Sequence, residues 1–198
     1  MANAPPNSLR GLNFCWEQGV RIAEVDLSFT HDGKPTIWHN EDNRLLKPPI
    51  RFIGEHTFEE MKKMERRDST EHLLDFSDLV KFLKVHPAFL ILLDVKYYNG
   101  DFWGVVKQIP SHLIRLTVQE IIEPAVALGL AGQIGFVTFE GGVRLLKRAK
   151  KESPDIHTSL IVVRPWAGIS SHLECLDSVT VGWGWRGHNH WWLCAGRV

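Results

Sequence analysis

Apolar runs of strand length alternate along this chain with segments of helical spacing, and that alternation does most to restrict the fold. The strand-like runs are Arg21 to Phe29, Pro35 to His39, Phe89 to Val95, Gln133 to Thr138, His157 to Val163 and Ser178 to Gly182. Among them lie Ser8 to Gln18, Thr57 to Glu65, Ser77 to Val85, Val118 to Leu128 and Gly142 to Lys151, with apolar residues at helical intervals. Thr57 and Glu60 fit a capping box at the start of the second of these. Such an order is expected of an α/β protein with parallel strands. Its natural closed form is a TIM-type (β/α)8 barrel, which carries its chemistry at the carboxyl ends of the strands. Six strands in 198 residues fall short of the eight strands and about 250 residues typical of such barrels. The expectation is therefore an incomplete barrel, forming a single domain over 1–198.

Composition narrows the partners. Apolar residues make up 44% of the chain, enough for a substantial core, and 23 basic residues balance 23 acidic ones. No overall field draws this protein to nucleic acid. The basic run Lys147 to Lys151 reads as a solvated helix face. Cys15, Cys175 and Cys194 are odd in number and lack metal-ligand spacing, which argues for a reducing, intracellular compartment, cytoplasmic or peripheral to an internal membrane. The first residues have no secretory pattern, and no apolar run has the length of a membrane span.

The chemistry concentrates in the first strand and the turn after it. In an extended chain Glu24 and Asp26 point to one side while Ala23, Val25 and Leu27 point to the other. Both carboxylates ionise near pH 4 and repel at neutral pH unless a cation or a shared proton lies between them. A divalent metal answers that repulsion. The turn Thr30-His31-Asp32-Gly33-Lys34-Pro35 then brings His39 back, and imidazole transfers protons near neutral pH. Further on, Leu92-Leu93-Asp94-Val95-Lys96 puts a third carboxylate and a lysine on one face of another strand.

With these residues in view, the chain resembles the glycerophosphodiester phosphodiesterase family. The likeness rests on the E-x-D strand, the T-x-D-G turn and the closing His39-Asn40. Asp94-Val95-Lys96 adds to it, with Asp for the usual Glu, and Pro5-Pro6-Asn7-Ser8-Leu9 resembles a worn P-E-N-T segment. Within the family, Gly54 to Glu60, His86-Pro87 and Leu93 to Lys96 are similar to the fungal phosphatidylglycerol-specific phospholipases C. The likeness is specific from about residue 5 to 100 and fades after 165.

That resemblance implies a barrel fold and cleavage of a phosphodiester of glycerol, with the substrate either a deacylated glycerophosphodiester or a phospholipid such as phosphatidylglycerol. It implies Glu24, Asp26 and Asp94 as ligands to Mg2+ or Ca2+, oxygen-seeking ions, with His39 in proton transfer and Lys96 stabilising phosphate charge. Thr138 and Phe139, at a strand end, are expected to line the substrate site. Trp183 and Trp185 are expected to touch acyl chains in peripheral membrane contact, since indole favours the interface. The family's first strand ends H-R-G and holds a second catalytic histidine, which by spacing would precede Met1. Its last strand, W-T-V-N, has no counterpart before Val198. The rival expectation is a homologue lacking that histidine which acts by binding a ligand or a membrane.

Overall fold

The structure is a computed structural model and describes residues 4–96, 108–162 and 173–181. Five strands run parallel: β1 (Ile22–Phe29), β6 (Leu90–Val95), β7 (Ile134–Phe139), β8 (His157–Val162) and β9 (Ser178–Val181), in that spatial order. Two short strands continue the sheet beyond β1. β2 (Pro35–Ile37) pairs antiparallel with Leu27 to Phe29, and β5 (Leu74–Asp75) pairs antiparallel with β2. A separate ribbon joins β3 (Leu46–Lys47) to β4 (Glu65–Arg66). The architecture is an incomplete α/β barrel, as expected, with one correction. Pro35 to His39 is not a parallel barrel strand: it ends at Ile37 and folds back on β1, because Gly33, at φ 75°, closes a five-residue return in which the Thr30 N–H bonds the Lys34 carbonyl at 3.0 Å.

Helices cover one face. α1 (Leu9–Glu17) begins at Ser8, whose hydroxyl accepts from the Gly11 N–H at 2.9 Å. It ends in a Schellman arrangement: Gly19, at φ 80°, donates to Trp16 and Val20 donates to Cys15. α2 (Phe58–Lys62) carries the Thr57/Glu60 capping box read from the sequence, and α3 (Phe76–Val85) is boxed in the same way by Asp75 and Asp78. α4 (Ser111–Thr117) runs through a π-helical stretch, Val118–Ile122, into α5 (Glu123–Ala127). This helix starts seven residues before the Val118 that periodicity marks. α6 (Val143–Glu152) buries Leu145, Leu146 and Ala149 and leaves Arg144, Lys147, Arg148 and Lys151 in water, the solvated face expected.

Strand alternation sorts the sheet. Val25 and Leu27 on β1, Ile91, Leu93 and Val95 on β6, Ile134 and Phe136 on β7 and Leu160 on β8 join the core between sheet and helices. Each such side chain contributes roughly 1.5–3 kcal/mol by leaving water. Intervening residues face the other way. Because Glu24 lies opposite Leu92 and Asp26 opposite Asp94, these acids share that second face, with Asp94 next to the carboxyl end of β6.

A smaller core of Trp38, Leu46, Ile53, Met61, Met64 and Leu73 anchors the excursion between β2 and β5. It fixes the loop that bears His39. Along the free side of β1, among the described residues, β2 pairs only from Leu27 onward, and Ile22 is 50% exposed.

Candidate active site

The carboxylates meet as the E-x-D and D-x-K patterns require. Glu24, Asp26 and Asp94 each offer an oxygen, and these atoms lie within 4.8 Å of one another. Lys96, one residue past β6, keeps the ladder through its N–H to the Leu27 carbonyl at 2.8 Å and so shares the face of Asp94. Its ammonium stands 2.8 Å from Asp26 Oδ1 and also bonds Asp94 Oδ2. The sequence points Lys96 at phosphate; the structure gives it two of the acids as partners.

The electrostatics follow from this crowding. Burial raises the Asp94 carboxyl above its ordinary range, with Lys96 opposing and Asp26 adding to the rise. Lost hydration works to lower Lys96, but Asp94 and Asp26 outweigh it and hold the ammonium above its usual value. Desolvation pushes Glu24 up to about 8, and Asp26 and Asp94 push the same way against Lys96. Glu24 as a residue remains exposed, so the like charges are the cause the geometry secures. With all three carboxylates ionised, as ion binding requires, one ammonium would leave two negative charges, the charge of one divalent ion. An all-oxygen donor set this close together fits Mg2+ or Ca2+, which take carboxylate oxygens and complete their shell with water or substrate.

His39 follows β2 directly. The Trp38 N–H bonds the Asp26 carbonyl at 2.9 Å and the Ser28 hydroxyl bonds the Trp38 carbonyl at 2.8 Å, which seats the next residue at the edge of the acid cluster. An imidazolium at His39 lies near enough to lower the proton affinity of Asp94 and of Asp42. Asp42, whose own N–H bonds the His39 carbonyl at 3.0 Å, is raised by desolvation while His39 lowers it and Asp26 raises it. It is a carboxylate in this neighbourhood that the motifs do not single out.

Other expected residues fall elsewhere. Thr138 is 2% exposed and lies opposite the face of Asp94, because Asp94 pairs with Val137. Its hydroxyl is so close to the backbone of Gly142 that a β-carbon there would come within 2.0 Å of Oγ1. Thr138 thus packs toward the helix layer, a correction to its expected place in the substrate lining. The parity of β7 decides this. Phe139, one residue on, lies on the face of the acids and is partly exposed. Trp183 and Trp185 lie outside the described residues. Asn7 is the neighbour that sequence reasoning places in a motif without a role. Its Nδ2 donates to Asp26 Oδ2 at 2.8 Å and its Oδ1 accepts the Asp26 N–H at 2.9 Å.

Parallel β/α units with three converging acids on one face of the sheet define a barrel-type α/β protein built around a centre that can hold a divalent cation. The chain belongs to the glycerophosphoryl diester phosphodiesterase family, whose profile matches residues 1–181. Membership places it among the phosphoric diester hydrolases. Solved structures agree on the fold. A Galdieria sulphuraria protein assigned as a glycerophosphodiester phosphodiesterase superposes with a TM-score of 0.71 at 17% identity, over 91% of this chain and 70% of its own. An Oleispira antarctica phosphodiesterase in complex with the product sn-glycerol-3-phosphate gives 0.69 at 17% identity, over 90% and 70%. A glycerophosphodiester phosphodiesterase from Agrobacterium tumefaciens gives 0.61 at 14%, over 90% and 71%.

Proposed function

We propose that this chain hydrolyses diesters of glycerol phosphate at the Glu24/Asp26/Asp94 centre in a metal-dependent reaction. Phosphatidylglycerol is the acylated candidate, which the similarity of Gly54 to Glu60 brings in. The observation that carries the reading is the convergence of three carboxylates within 4.8 Å beside His39. The product-bound Oleispira structure supports the glycerol phosphate half of the substrate.

Glu24, Asp26 and Asp94 would hold the ion, which supplies a Lewis acid for a phosphoryl oxygen. His39 moves a proton at the reacting oxygens. Lys96 holds Asp26 and Asp94 together and opposes the rise of the Glu24 and Asp94 carboxyls, and its ammonium would be the cation available to a phosphate oxygen. Phe139 borders the site from β7. No such role falls to the Gly54 to Glu60 segment itself, which caps α2 and receives the His31 N–H at the His56 carbonyl, 2.8 Å away.

The test is hydrolysis of glycerophosphocholine and of phosphatidylglycerol by the 198-residue chain with magnesium, with calcium and with a chelator, beside Glu24→Ala. Turnover that needs the ion and Glu24 is expected, and the preferred substrate tells whether acyl chains are tolerated. Turnover indifferent to chelator and to Glu24→Ala would remove the acid centre from the reaction. Ion binding without turnover of either diester would leave the binding homologue.

A further inference from the structure

The side chain of Arg66 is fully out of water, at 0% exposure, and all its partners but Asp68 are distant in sequence. Nε and Nη2 bond the two carboxylate oxygens of Asp68 at 2.9 and 2.8 Å. Nη1 donates to the Asn7 carbonyl at 3.2 Å and Nη2 to the Pro6 carbonyl at 3.1 Å. The guanidinium lies over Trp38, 4.7 Å from the ring centroid. Pro6-Asn7, Trp38 and Asp68 therefore meet on one buried cation.

Two of these segments reach Asp26 by a single further step. Asn7 grips Asp26 from both sides, at its carboxylate and at its N–H, and Trp38 bonds its carbonyl just before His39. Asn7 does so at φ 50°, a left-handed conformation that asparagine visits but that must be held by its surroundings. The two bonds from Arg66 to Pro6 and Asn7 do the holding, and the same group stands over the Trp38 ring. A lysine at 66 would keep the charge and lose the fork, since one ammonium cannot satisfy a bidentate carboxylate and two carbonyls at once.

We propose that Arg66 is a positioning residue of the acid centre: it fixes the N-terminal segment so that Asn7 locks the orientation of Asp26. This rests on the reading of Asp26 as an ion ligand. Outer-shell partners of ligands commonly govern affinity about 10-fold to 100-fold, and Arg66 acts through such a partner.

The test compares the full chain as wild type, Arg66→Lys, Asn7→Ala and the double variant. It reads amide hydrogen exchange at Asp26 and at Leu93 by NMR, and magnesium binding by calorimetry. Each single variant is expected to unfold cooperatively, to lose about tenfold or more of the protection at Asp26 while Leu93 keeps its own, and to bind magnesium about 10-fold to 100-fold more weakly. The double variant should be no worse than Asn7→Ala alone, because both act through one bond pair. Unchanged protection at Asp26 in folded Arg66→Lys, or losses that add in the double variant, would overturn the proposal. If Arg66→Lys does not fold, Asp68→Asn loosens the fork without removing it, and the same comparison of Asp26 with Leu93 decides. Failure of the ion reading shows separately, as a wild-type chain that binds no magnesium while Asp26 exchange still responds to residue 66.

Discussion

Lys96 and Asp26 form an ion pair of 2.8 Å between side chains only 15% and 17% exposed, and the same ammonium bonds Asp94. Two of the three acids thus share one built-in cation, which lets them stand together in the absence of an ion. Lys96→Met removes that charge and leaves the acids to repel or to take up protons. The ion-free variant should lose about 3 kcal/mol of stability, the lower end of what breaking a buried pair costs. Millimolar magnesium should restore most of it, since binding to the folded state stabilises by mass action. Urea unfolding with and without magnesium checks this; an equal loss in both conditions would mean that the Lys96 stem matters for packing alone.

Glu24 gives the centre a pH dependence of definite sign. Its carboxyl, pushed up to about 8 by desolvation and then by Asp26 and Asp94, keeps its proton in the folded protein where the unfolded chain, at about 4.5, has released it. Folding then binds a proton between those values, so ion-free stability falls as pH rises through the window. Solvent around this exposed residue screens the size of that fall. An entering ion expels the proton, so magnesium affinity should rise about tenfold per pH unit up to about 8 and then level off. Titrations at several pH values should show this slope in wild type and a flat, weak profile in Glu24→Gln. Equal slopes in both proteins would assign the proton to another group.

The division between what the sequence shows and what it hides follows the range of each interaction. Glu24 and Asp26 share a face because strand parity is local, and Asp94 joins them because apolar runs of this length pair in parallel. The turn around Gly33 shows the chain coming back, but alternation alone does not tell that Pro35 to Ile37 is a short antiparallel addition to β1 and not one of the parallel strands. Thr138 against Phe139 is a matter of one residue of parity on β7. Arg66 sits in the run Glu65-Arg66-Arg67-Asp68, whose composition is that of a solvated surface. The approach of Pro6 and Asn7, some 60 residues away in the chain, and of Trp38 buries it.

His39 separates proton transfer from ion binding. It adjoins the acids through Trp38 and belongs to none of the carboxylate contacts that would hold an ion. His39→Ala should lower kcat for glycerophosphodiester hydrolysis about 100-fold to 10,000-fold, with the calorimetric magnesium Kd changed by less than about twofold. A matching loss of ion affinity would make His39 a ligand and move the acid–base role to another group.

The contact of Thr138 with Gly142 supplies a test of the sheet–helix packing that sets β7 in place. A β-carbon on Gly142 would stand 2.0 Å from Thr138 Oγ1, 2.5 Å from Cγ2 and 2.7 Å from Cβ, all nearer than real atoms approach. Neither side can yield cheaply, because Gly142 is the N-cap of α6 and Thr138 is 2% exposed within a parallel strand. Gly142→Ala should therefore cost about 1–3 kcal/mol by overpacking, read as a lower denaturation midpoint. Thr138→Ala removes Oγ1 and Cγ2 but keeps the Cβ at 2.7 Å, so the double variant should recover only part of that loss. Simple addition of the two single effects would mean that the helix, not the threonine, moves to make room. Since Thr138 faces away from Asp94, Thr138→Ala should also leave the KM for glycerophosphocholine unchanged, whereas Phe139→Ala, on the face of the acids, should raise it.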